Sequence, residues 1–199
     1  MMRRSFAVCT LVVVIATLTA VPTAAAADPV GFITEFGNRA IEVLGPSTSA
    51  EQRLSRFREW FRDDFDVAGI GRFVLGRYWR VANPQEQQEF LGLLQEYVAQ
   101  AYSARLAEFG GLPFRVTGTR PNGEESIVTS EVIGHSGRPT AIDWHLVDRG
   151  GRLKITDVNV EGISMKVTER DEFAAVIQRG GGRLDGLLEQ LRQKTATHN

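Results

Sequence analysis

The chain has 199 residues, 43% of them hydrophobic, with 23 basic and 24 acidic side chains and a single cysteine. That length suits one domain with a real core. The ordinary apolar fraction and near-neutral charge exclude a disordered chain and give no basic surface of the kind that binds nucleic acid.

The N-terminal stretch reads as a targeting segment. Arg3 and Arg4 precede an almost wholly apolar run over 6–20, and small residues follow over 23–27. This order predicts a secretory signal peptide over 1–26, cleaved after Ala26, and a single domain over 27–199. The apolar run is too short for a comfortable membrane span. Cleavage would remove Arg3 and Arg4, taking 23 basic residues to 21 against 24 acidic ones, a net charge of −3. It would also remove Cys9, leaving no disulfide, thiol nucleophile or cysteine-ligated metal. Such a chain depends on its hydrophobic core, which suits a bacterial periplasm.

Val30, Ile33, Phe36, Ala40, Ile41 and Leu44 keep helical spacing from Pro29 until Gly45–Pro46 ends the run. Ser47–Ser49 offer caps for a second helix through Leu54, Phe57, Trp60, Phe61 and Phe65, boxed by Glu51 or Gln52. Arg53, Arg56, Arg58 and Arg62 interleave with these aromatics, as in a helix that lies on a membrane. Asp63, Asp64 and Asp66 close by favour an ordinary solvated face instead. Asp66 can cap a short third helix through Val67, Ile70, Phe73, Val74 and Leu75.

The strongest helical signal lies between Gly76 and Gly111. Asn83, Pro84 and Glu86 form a box-like start, and Phe90, Leu94, Tyr97, Val98, Tyr102, Leu106 and Phe109 recur at helical spacing. Gly110–Gly111 and Pro113 stop it. About 25 residues at roughly 1.5 Å each predict a rod of about 37 Å, long enough to cross a small domain.

Beyond Pro113 the period changes to two. Strands are expected over 114–120, 127–133, 140–147 and 153–160, with short turn-rich connectors that force an antiparallel meander. The hydrophobic phase slips at Thr156–Asp157, which predicts a bulge and a bent sheet. Thr168, with Asp171 three residues on, is then expected to cap a helix through Phe173, Val176 and Ile177. Gly180–Gly182 break it before a last helix carrying Leu184, Leu187, Leu188 and Leu191. The predicted fold is α+β: a bent four-stranded antiparallel sheet packed against N-terminal helices and a long central helix, with two C-terminal helices.

Catalytic signals are sparse. His135, His145 and His198 are not spaced as metal ligands, so neither a metal nor another cofactor is expected. Asp143 and His145 share a strand face as a solvated pair or a carboxylate–imidazole pair. Ser164, in GISM, lacks the second glycine of a nucleophile elbow. The triple glycine has no phosphate-loop context. What remains is apolar surface on a bent sheet facing a long helix, which either fills a closed core or leaves a cavity.

Three segments carry a resemblance. They are FVLGRYWRVANPQEQQEFLGLLQEYVAQAYSARLAEF (73–109), ITDVNVEGISM (155–165) and ERDEFAAVIQRGGGRLDGLLEQL (169–191). Their order and spacing resemble the MlaC, or toluene-tolerance, family of periplasmic phospholipid-binding proteins. The resemblance implies a non-enzymatic carrier, with acyl chains in a cavity between helices and sheet. It further implies transfer between an outer-membrane lipoprotein complex and an inner-membrane ABC transporter, with a phospholipid or, in some subtypes, a hopanoid as ligand.

Pattern and resemblance together place the lining at Val74, Leu75, Tyr78, Phe90, Leu94, Tyr97, Val98, Val132, Trp144, Leu146, Val160 and Met165. Arg77 and Arg80 are candidates for a phosphate at the mouth. The rival expectation is an acid–base enzyme of the cone-shaped ketosteroid-isomerase-like fold, which requires Asp143 or His145 to project into the pocket.

Overall fold

A computed structural model describes residues 28–196, so the expected signal peptide and His198 lie outside the described residues. Each N-terminal helix begins where its capping chemistry predicts. In α1 (Pro29–Val43) the side chain of Asp28 accepts from Gly31 N, and in α2 (Ala50–Asp64) Ser49 and Gln52 form a reciprocal capping box. Asp66 caps α3 (Val67–Leu75), and a 3₁₀ turn over Gly76–Arg80 follows. The α2–α3 junction is stitched to the sheet, because Asp66 N donates to Ile155 O at 2.9 Å.

The long helix α4 (Pro84–Arg105) starts with the Asn83–Glu86 box but is shorter than expected. Its last turn tightens into a 3₁₀ segment over Leu106–Phe109, so the rod is 22 residues of α-helix rather than about 25. Gly110 then packs where a Cβ would lie 2.0 Å from Leu44 O, which locks the exit of α4 against the end of α1.

The sheet has five strands in the order β1-β2-β3-β4-β5: Phe114–Asn122, Glu125–Ile133, Pro139–Asp148, Leu153–Val160 and Ile163–Ser164, all antiparallel. The fifth strand corrects the expected four. Glu161 and Gly162 both take positive φ, 51° and 80°, in the manner of a type I′ turn, and this folds Ile163 back onto Val160. Glu161 is held in that conformation by Ala141, whose N–H donates to its side chain at 2.6 Å and whose carbonyl accepts from its N–H at 2.9 Å. The phase slip at Thr156 is a bulge: His145 pairs with Asp157, Leu146 with Ile155, and Thr156 is left over. A second bulge at Thr117 gave no sign in the hydrophobic pattern.

The C-terminal pair is α5 (Met165–Arg179) and α6 (Leu184–Ala196). The cap of α5 is Ser164 rather than Thr168, and Thr168 sits inside the first turn, donating back to Ser164 O at 2.9 Å. The tight turn ends β5 at Ser164, so the helix starts at once.

Two separate apolar cores result. One lies among helices and unites Leu75, Tyr78, Phe90, Phe173, Ile177, Leu187 and Leu191. The other lies beneath α1 on the sheet and unites Ile33, Phe36, Val128, Trp144, Leu146 and Ile155. Phe65 joins them, its ring 5.0 Å from Phe61 of the helical core and 6.2 Å from Phe36 of the sheet core.

Candidate functional site

Between the two cores the helices and the sheet fail to close, leaving a half-open cavity of about 370 Å³. That lies within the range of roughly 300–1,000 Å³ typical of ligand pockets. One wall is the bent sheet: Phe114, Val132, Ile142, Trp144, Val158 and Val160. The opposite wall takes Phe36 and Ala40 from α1 and Leu44 at its C-cap, Phe57, Trp60 and Phe61 from α2, Ile70 and Val74 from α3, and Leu94 and Val98 from α4. Leu106 and Phe109 of the 3₁₀ segment and Met165 of α5 complete it. The surface presented to the cavity is almost wholly apolar.

Close approach of backbone shapes one corner. Gly37 lies where a Cβ would meet the Phe114 ring at 2.1 Å, so only glycine lets α1 rest on β1 there. Across the sheet, the buried Trp144 indole donates to Ser130 Oγ at 2.8 Å. That bond fixes the ring that forms the floor.

Of the twelve expected lining residues, Val74, Leu94, Val98, Val132, Trp144, Val160 and Met165 line this cavity. Leu75, Tyr78, Phe90, Tyr97 and Leu146 do not. The first three lie in the helical core, where Phe90 meets Phe173 at 6.0 Å. Tyr97 packs beside them, 5.7 Å from Phe173, with Lys194 Nζ 5.1 Å from its ring, and burial pushes its hydroxyl up to about 12. Leu146 lies below the bulge in the sheet core. The physical reason is that α4 is apolar on two sides, packing on α2 and α6 as well as on the cavity, so its period alone cannot separate the wall from the core. The residues missed are chiefly the walls from α1 and α2, with Ile70, Leu106, Phe109, Phe114, Ile142 and Val158 besides. Their apolar spacing was visible, but nothing in it stated what each face would meet.

Seven polar or charged residues also border the cavity: Arg105, Glu108, Thr140, Thr156, Asp157, Lys166 and Glu169. Asp157 is 5% exposed and organises the junction of β4, β5 and α5. It accepts from Val158 N at 2.9 Å, Lys166 N at 3.1 Å and the Ser164 hydroxyl at 2.6 Å. Ser164 Oγ in turn accepts from Val167 N at 3.1 Å, so this serine is a helix cap, consistent with its lack of a nucleophile-elbow sequence.

Glu169 is 8% exposed; one carboxyl oxygen accepts from the Tyr102 hydroxyl at 2.9 Å and the other has no partner. Burial raises the carboxyl above its ordinary range, despite the Tyr102 bond and the nearby charges of Lys194 and Arg105, which oppose the rise; Glu172 adds to it. The Tyr102 hydroxyl is pushed up too, first by burial and then by that carboxylate. A carboxyl raised on folding contributes most below its unfolded pKa, and stability is lost as pH climbs through the folded one. Thermal melts from pH 4 to 7 should therefore show wild-type stability falling relative to Glu169→Gln as pH rises. Parallel profiles for the two proteins would contradict this.

The acid–base candidates point elsewhere. Asp143 accepts from Arg120 at 2.9 Å and Thr129 at 2.6 Å; partial burial works to raise its pKa, yet these bonds hold it below the ordinary range. His145 Nδ1 is 3.3 Å from Glu125 and its Nε2 is 3.4 Å from Asn159. Neither residue borders the cavity, and both share the sheet face opposite Trp144. Arg77 and Arg80 are also absent from its lining; the cations that border it are Arg105 and Lys166. Among the described residues no group of three His, Cys, Asp or Glu side chains is placed to hold a metal, and no helix is long and apolar enough to cross a membrane.

A bent antiparallel sheet held off a helical layer by an apolar chamber defines a class of α+β proteins. The family model described as MlaC protein matches residues 36–193, and the chain belongs to that family. It is 29% identical over 126 residues to the toluene tolerance protein ttg2D of Pseudomonas putida, which is 62% of this chain, and spans 59% of that relative's length. The fold is similar to that of a phospholipid-binding protein from Ralstonia solanacearum, solved with a phospholipid at 1.53 Å. The two match with a TM-score of 0.73 over 86% of this chain and 98% of the other, at 21% identity, which establishes the shared fold.

Proposed function

We propose that this protein is a periplasmic carrier that holds the acyl chains of a phospholipid in the cavity and moves it between membranes. The observation that carries this reading is the cavity itself, wide, half-open and almost wholly apolar. Each methylene left in water costs about 0.8 kcal/mol, so a lipid in transit needs such a lining and little polar specificity. The solved relative from Ralstonia solanacearum, named as a phospholipid-binding protein, supports the ligand class. In this reading the carrier exchanges lipid with an outer-membrane lipoprotein complex on one side and an inner-membrane ABC transporter on the other. The chain carries out no chemistry on its ligand.

Extraction of the purified protein with organic solvent, followed by mass spectrometry, tests the proposal. Phospholipid close to one per protein chain is the expected result. Protein that is empty, and that takes no lipid from phospholipid vesicles, would overturn it. A polycyclic lipid in its place would redirect the reading to a hopanoid carrier.

A further inference from the structure

The arginines of α2 and those around α3 differ in what they face. On α2, Arg56 pairs with Glu59 at 2.9 Å, Arg58 with Glu96 at 2.7 Å and Arg62 with Asp63 at 2.8 Å, while Arg53 donates to Thr48 O. The phenylalanines and tryptophan between them turn inward to the cavity. Three of its four guanidinium groups are thus neutralised by carboxylates, Arg53 is tied to a backbone carbonyl, and the aromatic rings face the cavity rather than a membrane.

Around α3 and the 3₁₀ turn the arrangement is reversed. Arg72, Arg77 and Arg80 fall within nine residues, all are exposed, and none pairs with a carboxylate among the described residues. Arg72 and Arg77 contact aromatic rings instead. Arg72 lies 5.8 Å from the Trp79 ring, and Arg77 lies 4.8 Å from the Tyr78 ring while donating to its hydroxyl at 2.8 Å. The adjoining Phe73 ring is covered by Lys166 at 5.0 Å and Arg170 at 5.2 Å. Asp66, which senses the charge of Arg72, gives its side chain to Arg149 at 2.7 Å and to Gly69 N. At the tip Val81 is 79% exposed. This cationic surface stands on a chain whose net charge is −1.

We infer that this basic, aromatic surface docks onto an anionic membrane. Unpaired guanidinium groups match lipid phosphates in planar two-point hydrogen bonds. An indole and an exposed aliphatic tip suit the interfacial layer beneath the headgroups. The surface adjoins the cavity: Lys166 covers Phe73 and also lines the cavity, as do Ile70 and Val74 of α3. A bilayer held there lies beside the route of lipid entry. The inference goes beyond the carrier reading, since a protein could hold lipid and still never touch a bilayer.

Flotation with vesicles tests it, using pure phosphatidylcholine and a mixture containing roughly one-quarter phosphatidylglycerol. The protein should float with the anionic vesicles only, and less as salt rises. Arg72→Gln, Arg77→Gln and Arg80→Gln together should reduce partitioning on the order of a hundredfold, about fivefold per arginine. Arg56→Gln with Arg62→Gln, on α2, should leave it within about twofold. If circular dichroism shows the triple variant to be unfolded, Arg80→Gln alone, which removes no contact within the fold, should still lower partitioning about fivefold. Equal flotation with neutral vesicles, or undiminished flotation of the folded arginine variants, would overturn the inference. Either result would then favour a protein partner or none. Lipid extracted from the same samples is scored separately, so failure to dock and failure to carry lipid are told apart.

Discussion

Val160→Trp is expected to weaken phospholipid uptake roughly thirtyfold while leaving the melting temperature within a few degrees. Val160 is half-buried, lines the cavity from β4, and stands beside the tight turn that returns the chain into β5. An indole there projects into open space rather than into packed atoms, so little overpacking strain should arise. It would exclude about two to three methylenes of ligand, or about 2 kcal/mol at 0.8 kcal/mol each. Leu94→Trp probes the opposite wall with a different balance. Leu94 is 1% exposed and belongs to the helical core as well as to the cavity, so about 1–3 kcal/mol of strain should accompany the block. The comparison uses a vesicle uptake assay beside thermal melts. Uptake undiminished in folded Val160→Trp would show that lipid does not occupy this chamber.

The same two positions show what sequence could and could not convey. The caps Ser49, Asp66 and Asn83 act locally, through a side-chain oxygen and an N–H three residues on, so the starts of α2, α3 and α4 were legible, whereas the Asp28 cap of α1 was not recognised. The bulge at Thr156 was legible because one extra residue inverts which side chains face the core. The fifth strand was not, since two residues carry no period and the turn depends on Glu161 being held by Ala141 across the sheet. The cavity lining divided along the same line. On strands, alternation put Val132, Trp144 and Val160 on the face that borders the cavity but could not show that Leu146, on that face too, lies in the sheet core, and on α4 a period of 3.6 marked two apolar faces alike. Leu94 and Val98 reach the chamber, whereas Phe90 and Tyr97, on the same helix, meet Phe173. Which neighbour covers which face is a tertiary fact, and that is why α1 and α2 went unrecognised as walls.

The largest loss of stability is expected from Asp157→Ala. The bulge turns this carboxylate inward, where it is 5% exposed and takes three donors: two backbone N–H groups and the Ser164 hydroxyl. Truncation leaves those donors without a partner, and buried unsatisfied groups cost about 1–3 kcal/mol each, partly relieved by entering water. A net loss of about 3 kcal/mol should lower the melting temperature of a chain this size by roughly 10 °C. Asp157→Asn keeps one acceptor oxygen and should lose about half as much. The consequence for the site follows from position. Asp157 ties β4 to the first turn of α5, and Met165 and Lys166 in that turn both line the cavity. Ser164→Ala removes the cap of α5 together with one of the three donors, leaving two backbone groups still served by the carboxylate. It should therefore cost only about 1 kcal/mol. A melting temperature for Asp157→Ala equal to that of Ser164→Ala would mean that the backbone bonds to this carboxylate contribute nothing, and that the helix cap alone holds this wall of the cavity.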